Sequence, residues 1–197
     1  GAFGFRDPQR AWETVQGWHL GRRPALRTGR AREILAEMLP ALLRALGGTA
    51  DPDAALLALD RAFARMPVVA ELLAILRSHE RLRLLFADIL GTAPRLADTV
   101  GLSPHVLDTV LDADFVVPAT DPETVRTQYR ALVGQPASHE EFLDRCRDAT
   151  RQMVFVTGAR LLSGILTPRQ AGEAYTAIAE TTVALSLEAE ERRFGLD

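Results

Sequence analysis

The fold prediction starts from residues 67–111, which read PVVAELLAILRSHERLRLLFADILGTAPRLADTVGLSPHVLDTVL. Apolar residues recur there at the i, i+3, i+4, i+7 spacing that places one face of a helix in a core. Four such sets follow one another: Val69, Leu72, Leu73 and Leu76; Leu82, Leu85, Phe86 and Ile89; Leu96, Ala97 and Val100; Val106, Leu107, Val110 and Leu111. We place breaks at Gly91, Gly101 and Ser103. The stretch predicts four short helices that must pack on the rest of the chain.

Helix-start signals continue along the chain. A capping side chain stands directly before a proline in Asp7-Pro8, Asp51-Pro52, Ser103-Pro104, Asp121-Pro122 and Thr167-Pro168. Such pairs start helices well, because the oxygen accepts from free N–H groups and proline has no N–H to leave unpaired. Ser138 with Glu141 has the form of a capping box. We predict helices over about 8–18, 28–46, 52–65, 122–133 and 138–166, and a last one from residue 168.

The fold class follows from these helices, since no alternating apolar run is long enough to predict a strand. We predict an all-α fold, a multi-helix bundle of about eight to ten helices with a long C-terminal helical hairpin. Residues 1–27 are expected to form a short helix and a linker or arm, and residues 28–197 a single all-helical domain. Because the chain begins with Gly1 and not Met, we expect it to be a processed or cut-out fragment.

Composition restricts the classes of function. The chain has 197 residues and a formal net charge of −3, which does not favour nucleic acid or an anionic membrane as a partner. No run reaches the roughly 18 apolar residues of a transmembrane helix, and no signal peptide is recognisable. Cys146 is the single cysteine, so no disulfide framework is expected. A cytoplasmic location is the expectation.

Two Asp-x-Asp pairs are candidates for magnesium binding. Asp51 and Asp53 follow two glycines, but Asp51 precedes a predicted helix, and we interpret it as a cap. Asp112 and Asp114 stand in a predicted turn, where solvated Asp is common. The four histidines, His19, His79, His105 and His139, form no metal-binding spacing. We therefore assign no catalytic residue and no metal ligand.

A cluster of cations is the one local charge anomaly. It consists of Arg22, Arg23, Arg27, Arg30 and Arg32, and Glu33 is the first acid after it. Positive charges at the start of a helix oppose its dipole. One interpretation is a solvated linker. The other is a dock for an acidic partner surface or for another domain, since Arg forms bidentate pairs with carboxylates. These five arginines are our candidate partner-binding residues.

Several leucine-rich stretches together carry a resemblance. They are RTGRAREIL at 27–35 with MLPALL at 38–43, LLFADILGTAPRLA at 84–97, LDTVLDADF at 107–115 and RLLSGIL at 160–166. In order and spacing they resemble the central helical region of the bifunctional glutamine synthetase adenylyltransferase/adenylyl-removing enzyme family. The resemblance covers residues 5–194.

The resemblance implies a parent protein with two nucleotidyltransferase domains. This multifunctional transferase of nitrogen metabolism binds ATP and magnesium, and adds AMP to a tyrosine of glutamine synthetase or removes it by phosphorolysis. Glutamine and the PII signal protein regulate it. The resemblance places this segment between the two catalytic domains. No family catalytic residue matches a position here, so the segment alone is expected to be inactive.

Three functional hypotheses stay open at this point. The first is a non-catalytic helical scaffold that presents the second nucleotidyltransferase domain and relays glutamine and PII signals. The second is a small-ligand sensor, with glutamine as the candidate ligand, near Arg160, Ser163 and Tyr175. The third is a protein-interaction module that uses the arginine cluster.

Overall fold

The computed structural model describes residues 3–66, 69–116 and 121–195, and only the backbone of residues 104, 105, 113 and 114. In these ranges the chain forms ten α-helices, three 3₁₀ turns and no strand, which confirms the predicted all-α class. It divides into two compact units, unit 1 (Gly1–Leu111) and unit 2 (Asp112–Asp197). The predicted division into a short helix with an arm over 1–27 and a single domain over 28–197 stays a prediction. No helix in the described ranges is long and apolar enough to cross a membrane.

The elements have the following bounds. Unit 1 contains α1 (Pro8–His19), α2 (Gly29–Gly47), α3 (Pro52–Arg65), α4 (Ala70–Ser78), α5 (Glu80–Thr92), α6 (Pro94–Leu102) and α7 (Asp108–Leu111), with 3₁₀ turns at Pro24–Leu26 and Pro104–Leu107. Unit 2 contains a 3₁₀ turn at Ala113–Val116 and helices α8 (Pro122–Val133), α9 (His139–Leu162) and α10 (Pro168–Phe194).

Side-chain caps begin six of these helices. In each case the oxygen accepts from the N–H three residues on, and the capping residues are Asp7, Thr28, Asp51, Asp121, Ser138 and Thr167. A proline follows four of them at the first helical position, where its missing N–H costs nothing. The predicted starts are confirmed, except that Ser103 precedes a 3₁₀ turn and not an α-helix.

Helix α3 lies at the centre of unit 1. It contacts α1 and α2 and packs along α5 and α6, while α2 also packs against α4 and α5. Trp18, Leu59 and Phe63 are among the fully buried side chains of this core. The Trp18 and Phe63 rings meet edge to face, with their centroids 5.2 Å apart. Four helices do follow one another within 67–111, as the apolar spacing predicts.

Two of the predicted breaks in this stretch are wrong. Gly91 lies inside α5 and Gly101 inside α6, and the chain turns at Ala93, directly before Pro94. Gly101 faces Ala62 of α3, with 3.7 Å between the Ala62 Cα and the position that a Cβ on Gly101 would take. Gly91 faces Thr49 even more closely. The space at Gly101 is ordinary van der Waals distance, whereas Gly91 is at a position of close approach, and neither glycine ends its helix.

Unit 2 consists of three long helices that all contact one another. The predicted C-terminal hairpin of α9 and α10 is present. However, α9 ends at Leu162 and not at residue 166, because Gly164 has a φ of +72°, which a helix cannot contain. Tyr129 is fully buried at the centre. Its hydroxyl donates to the Cys146 carbonyl at 3.1 Å and accepts from the Thr182 hydroxyl at 2.9 Å, so that it joins all three helices.

Candidate functional site

The arginine cluster lies on the segment between α1 and α2 and on the first turn of α2. The 3₁₀ turn in this segment buries Ala25 and Leu26 completely or nearly so. The segment is thus packed on unit 1, against α2 and α3. The backbone of the segment is therefore held in place, and the five arginine side chains differ in what they contact.

Arg23 is bound inside unit 1. Its Nε donates to Asp60 Oδ1 at 2.6 Å, and its Nη2 donates to Asp60 Oδ2. The Trp18 indole N–H donates to the same Asp60 Oδ1 at 2.9 Å. The hydrogen bond to Asp60 raises the pKa of Arg23, against the opposing effect of burial. Arg23 therefore neutralises a buried carboxylate and holds the segment against α3.

Arg32 is also used by the fold. Its Nη1 donates to two backbone carbonyl oxygens, that of Leu26 at 3.0 Å and that of Arg27 at 2.7 Å. These are the carbonyls at the end of the 3₁₀ turn, directly before the Thr28 cap. Arg32 thus fixes the entry of the chain into α2.

The remaining three arginines are exposed, and among the described residues their side chains have no acidic partner within ion-pair distance: Arg22, Arg27 and Arg30. Arg27 precedes the cap of α2 and Arg30 is in its first turn, which contains no acid. The positive end of the helix dipole adds to their charge. The group can therefore bind carboxylate or phosphate oxygens of another molecule.

Two of the four carboxylates considered for metal binding, Asp51 and Asp53, have structural partners. Asp51 Oδ1 accepts from the Ala54 N–H at 3.1 Å, which confirms its interpretation as a cap. Asp53 accepts from the N–H groups of Arg6 at 3.0 Å and Asp7 at 3.3 Å, and so ties the start of the chain to α3. The side chain of Asp114 lies outside the described residues. Within those residues, no three His, Cys, Asp or Glu side chains are grouped as metal ligands.

The three residues of the ligand-sensor hypothesis have separate roles in unit 2. Arg160 donates from Nε to the Phe115 carbonyl at 3.0 Å, and its guanidinium lies 5.6 Å from the centre of the Phe115 ring. Ser163 follows the last residue of α9 and donates its N–H to the Ala159 carbonyl. Tyr175 packs against the core, where burial raises the pKa of its hydroxyl.

Sequence reasoning missed Asp60 and Tyr129, which carry the main buried polar contacts of the two units. A signal for Asp60 was present, because it stands next to Leu59 on the apolar face of a predicted helix. A carboxylate at such a position needs a cation or several donors around it. Tyr129 had no comparable signal, since a tyrosine on an apolar face is ordinary.

A family model matches residues 82–195, and its description is glutamate-ammonia ligase adenylyltransferase. The match covers more than half of the chain. The chain belongs to this adenylyltransferase family. The resemblance inferred from the leucine-rich stretches is therefore confirmed.

Curated relatives carry the same family name in fuller form. The bifunctional glutamine synthetase adenylyltransferase/adenylyl-removing enzyme of Mesorhizobium japonicum is 36% identical over 191 residues, 97% of this chain and 19% of the relative. Proteins of the same name from Brucella melitensis and Xanthobacter autotrophicus are 35% and 37% identical, over 96% and 91% of this chain. The aligned part is 19% of the Brucella melitensis protein and 18% of the Xanthobacter autotrophicus protein. The chain thus spans about a fifth of these adenylyltransferases. No solved structure matches it.

Proposed function

We propose that the chain is a non-catalytic helical segment between the two catalytic domains of a glutamine synthetase adenylyltransferase. In this proposal it scaffolds the second nucleotidyltransferase domain and relays glutamine and PII signals. The observation that carries it is the share of length: the match covers 97% of this chain but 19% of a bifunctional relative. The relative's remaining length is ample for catalytic domains.

Three carboxylates of unit 1 support the same proposal. Asp51, Asp53 and Asp60, which could serve chemistry, cap helices or bind backbone and side chains of unit 1. Carboxylates engaged in this way are poorly placed to hold a metal ion and its nucleotide. In this proposal the parent enzyme binds ATP and Mg²⁺ in its catalytic domains, outside this chain. It acts in the cytoplasm, and its partners are glutamine synthetase and the PII protein. The flanking domains are the partners of this chain within the parent.

An adenylyl-transfer assay tests the non-catalytic role. The chain and the full-length parent are each incubated with glutamine synthetase, Mg²⁺ and ATP labelled in the α-phosphate. We expect label on glutamine synthetase with the parent and none above background with the chain. Transfer of AMP by the chain alone would refute the proposal. A parent that lacks the segment should lose activity of its second domain.

The exposed arginines favour a second candidate, an interaction module for an acidic partner. Arg22, Arg27 and Arg30 carry charge at the start of α2 that the described residues do not neutralise. Reversal of Arg27 and Arg30 to Glu should weaken binding of the parent to glutamine synthetase or PII and flatten its salt dependence. Reversal of Arg147 and Arg151, each already paired with an acid three residues before it, is the control. Equal effects of the two reversals would exclude this candidate.

A further inference from the structure

Helix α10 is apolar on two opposite sides. One side packs into the core of unit 2 through Ala174, Ile178 and Leu185. On the other side Val183, Leu187 and Phe194 are 68%, 59% and 67% exposed. A helix that packs on one side only is expected to be polar on the other. The apolar exposed side therefore needs an explanation.

The exposed apolar residues lie along one line of the helix. Spacings of four and seven residues separate Val183, Leu187 and Phe194, which places them within one narrow sector. Thr176 and Ala179 extend this sector toward the start of α10 and are exposed as well. We call these five residues the outer face of α10. Between residues 176 and 194, Glu190 is the one charged residue in the same sector, and it already pairs with His139 and Arg193.

Neighbouring charges of α10 are turned away from the outer face. Glu180 accepts from Arg126 at 2.7 Å, and Glu188 accepts from Arg130 at 3.1 Å. Both arginines belong to α8, on which α10 packs. These ion pairs turn two carboxylates away from the outer face, which runs along about 27 Å of helix. At its C-terminal end the Arg193 guanidinium lies 5.6 Å from the centre of the Phe194 ring.

The size of the outer face indicates what covers it. A strip of about 27 Å by about 10 Å offers roughly 270 Å², whereas a stable complex between separate molecules buries about 800 Å² on each partner. Two copies joined through this face alone would thus associate weakly. A surface on the same polypeptide avoids most of the entropy cost of association and can use so small a contact.

We infer that the outer face of α10 docks on an apolar surface of the parent polypeptide outside residues 1–197. The inference rests on the proposed function, in which the chain is one segment of a longer enzyme. Matched relatives have about four-fifths of their length outside the aligned part, which is ample to supply that surface.

Photo-crosslinking in the full-length parent tests the inference. p-Benzoylphenylalanine is placed at position 187, irradiated, and the linked peptides are identified by mass spectrometry. We expect a link within one molecule to a peptide outside residues 1–197. A link between two copies, a link inside residues 1–197 or the absence of any link would each overturn the docking proposal.

A labelling experiment gives an independent readout. Val183→Cys and Leu187→Cys in the native parent should react with maleimide about tenfold more slowly than the same sites in urea-unfolded parent, after correction for the intrinsic rate. Equal corrected rates would also overturn the proposal. Peptide-resolved detection keeps other cysteines of the parent out of the measurement.

Activity separates this proposal from the proposed function. The parent with Val183→Gln and Leu187→Gln is compared with the parent with Leu20→Gln and Leu102→Gln, two residues of unit 1 that are 69% and 65% exposed. One outcome is slow maleimide labelling at positions 183 and 187 while the Val183→Gln and Leu187→Gln parent keeps both the addition and the removal of AMP. That outcome supports docking and excludes the scaffold role. The other outcome is maleimide labelling at these sites as fast as in the unfolded parent, together with loss of activity when the segment is deleted. That outcome excludes the docking proposal and retains the scaffold role.

Discussion

Asp60 accepts three side-chain hydrogen bonds in the core of unit 1. The residue is 7% exposed and receives hydrogen bonds from the Trp18 indole and from two nitrogens of Arg23. A buried carboxylate is tolerated only with such donors around it, because burial removes its water. Asp60 thus links α1, the segment after it and α3.

Asp60→Asn should destabilise unit 1. Asn keeps an oxygen for the Trp18 N–H but loses the charge that Arg23 neutralises. Removal of one member of a fully buried ion pair costs about 3–5 kcal/mol. Because the Arg23 side chain is 39% exposed, we expect about 2 kcal/mol of lost unfolding free energy, measured by urea denaturation.

Asp98→Asn is the matched control for this change. Asp98 pairs with Arg65 at 2.9 Å, and both side chains are at least half exposed. The expected change is below about 0.5 kcal/mol. Equal effects of the two substitutions would show that the Asp60 network contributes little.

Glu141 makes the stability of unit 2 depend on pH. Its Oε2 accepts from the Ala137 N–H at 2.7 Å, and its Oε1 accepts from Arg145 at 2.6 Å. The Ala137 hydrogen bond first, and Arg145 second, lower the pKa of the Glu141 carboxyl. A lowered pKa in the folded state stabilises the fold above the unfolded value of about 4.3 and loses this effect as the pH falls through the folded value.

Glu141→Gln should therefore lower the Tm at pH 7 more than Glu140→Gln does. Both residues are in the first turn of α9, so both substitutions remove the same favourable charge from the helix start. The difference between the two variants should shrink below about pH 4.3 and vanish once wild-type Glu141 is protonated. Calorimetry at several pH values measures it. A difference in Tm between the two variants that does not change with pH would contradict a lowered pKa of Glu141 as its cause.

At the scale of elements, close approach explains the glycine in α5. A Cβ at Gly91 would lie 2.9 Å from Thr49 Oγ1 and 3.4 Å from Ala55 Cβ. Thr49 is buried and its hydroxyl is held by the Leu46 carbonyl at 2.7 Å, so it has little room to move. The approach of α5 to Thr49, in the turn before α3, thus leaves little room for a side chain at position 91.

Gly91→Ala should be net destabilising by about 1 kcal/mol. Overpacking costs about 1–3 kcal/mol, and the better helix propensity of Ala returns about 1 kcal/mol. Gly172→Ala is the control, because a Cβ there would have no neighbour within 4 Å. That change should stabilise the chain by up to about 1 kcal/mol. Opposite signs in thermal unfolding are expected, and equal signs would contradict the packing argument.

At the scale of the whole molecule, the domain division predicted at residue 27 can be tested by deletion. Trp18 is fully buried in unit 1, and Arg23 is the partner of Asp60. Loss of a buried Trp side chain alone costs about 3–5 kcal/mol. We expect a chain that begins at Thr28 to melt at least roughly 10 °C below the full chain. An unchanged Tm would show that residues 1–27 are a dispensable arm.

The candidate site was predictable only in part. The sequence identified the arginine cluster as a group, because its five cations lie between Glu13 and Glu33 with no acid among them. Arg23 and Arg32 proved to be bound within unit 1, whereas Arg22, Arg27 and Arg30 are exposed. The partner of Arg23 is 37 residues away along the chain. Local spacing carries no information on such a pair.

The sequence by itself determined the all-helical class and nearly all helix starts, because apolar period, caps and prolines act within about four residues of one another. It also carried the family likeness. The tertiary structure alone decided which polar groups are buried together, why Gly91 lies inside a helix, and which side of α10 is left exposed. Those properties depend on contacts between residues far apart in the chain, which form only when the helices pack.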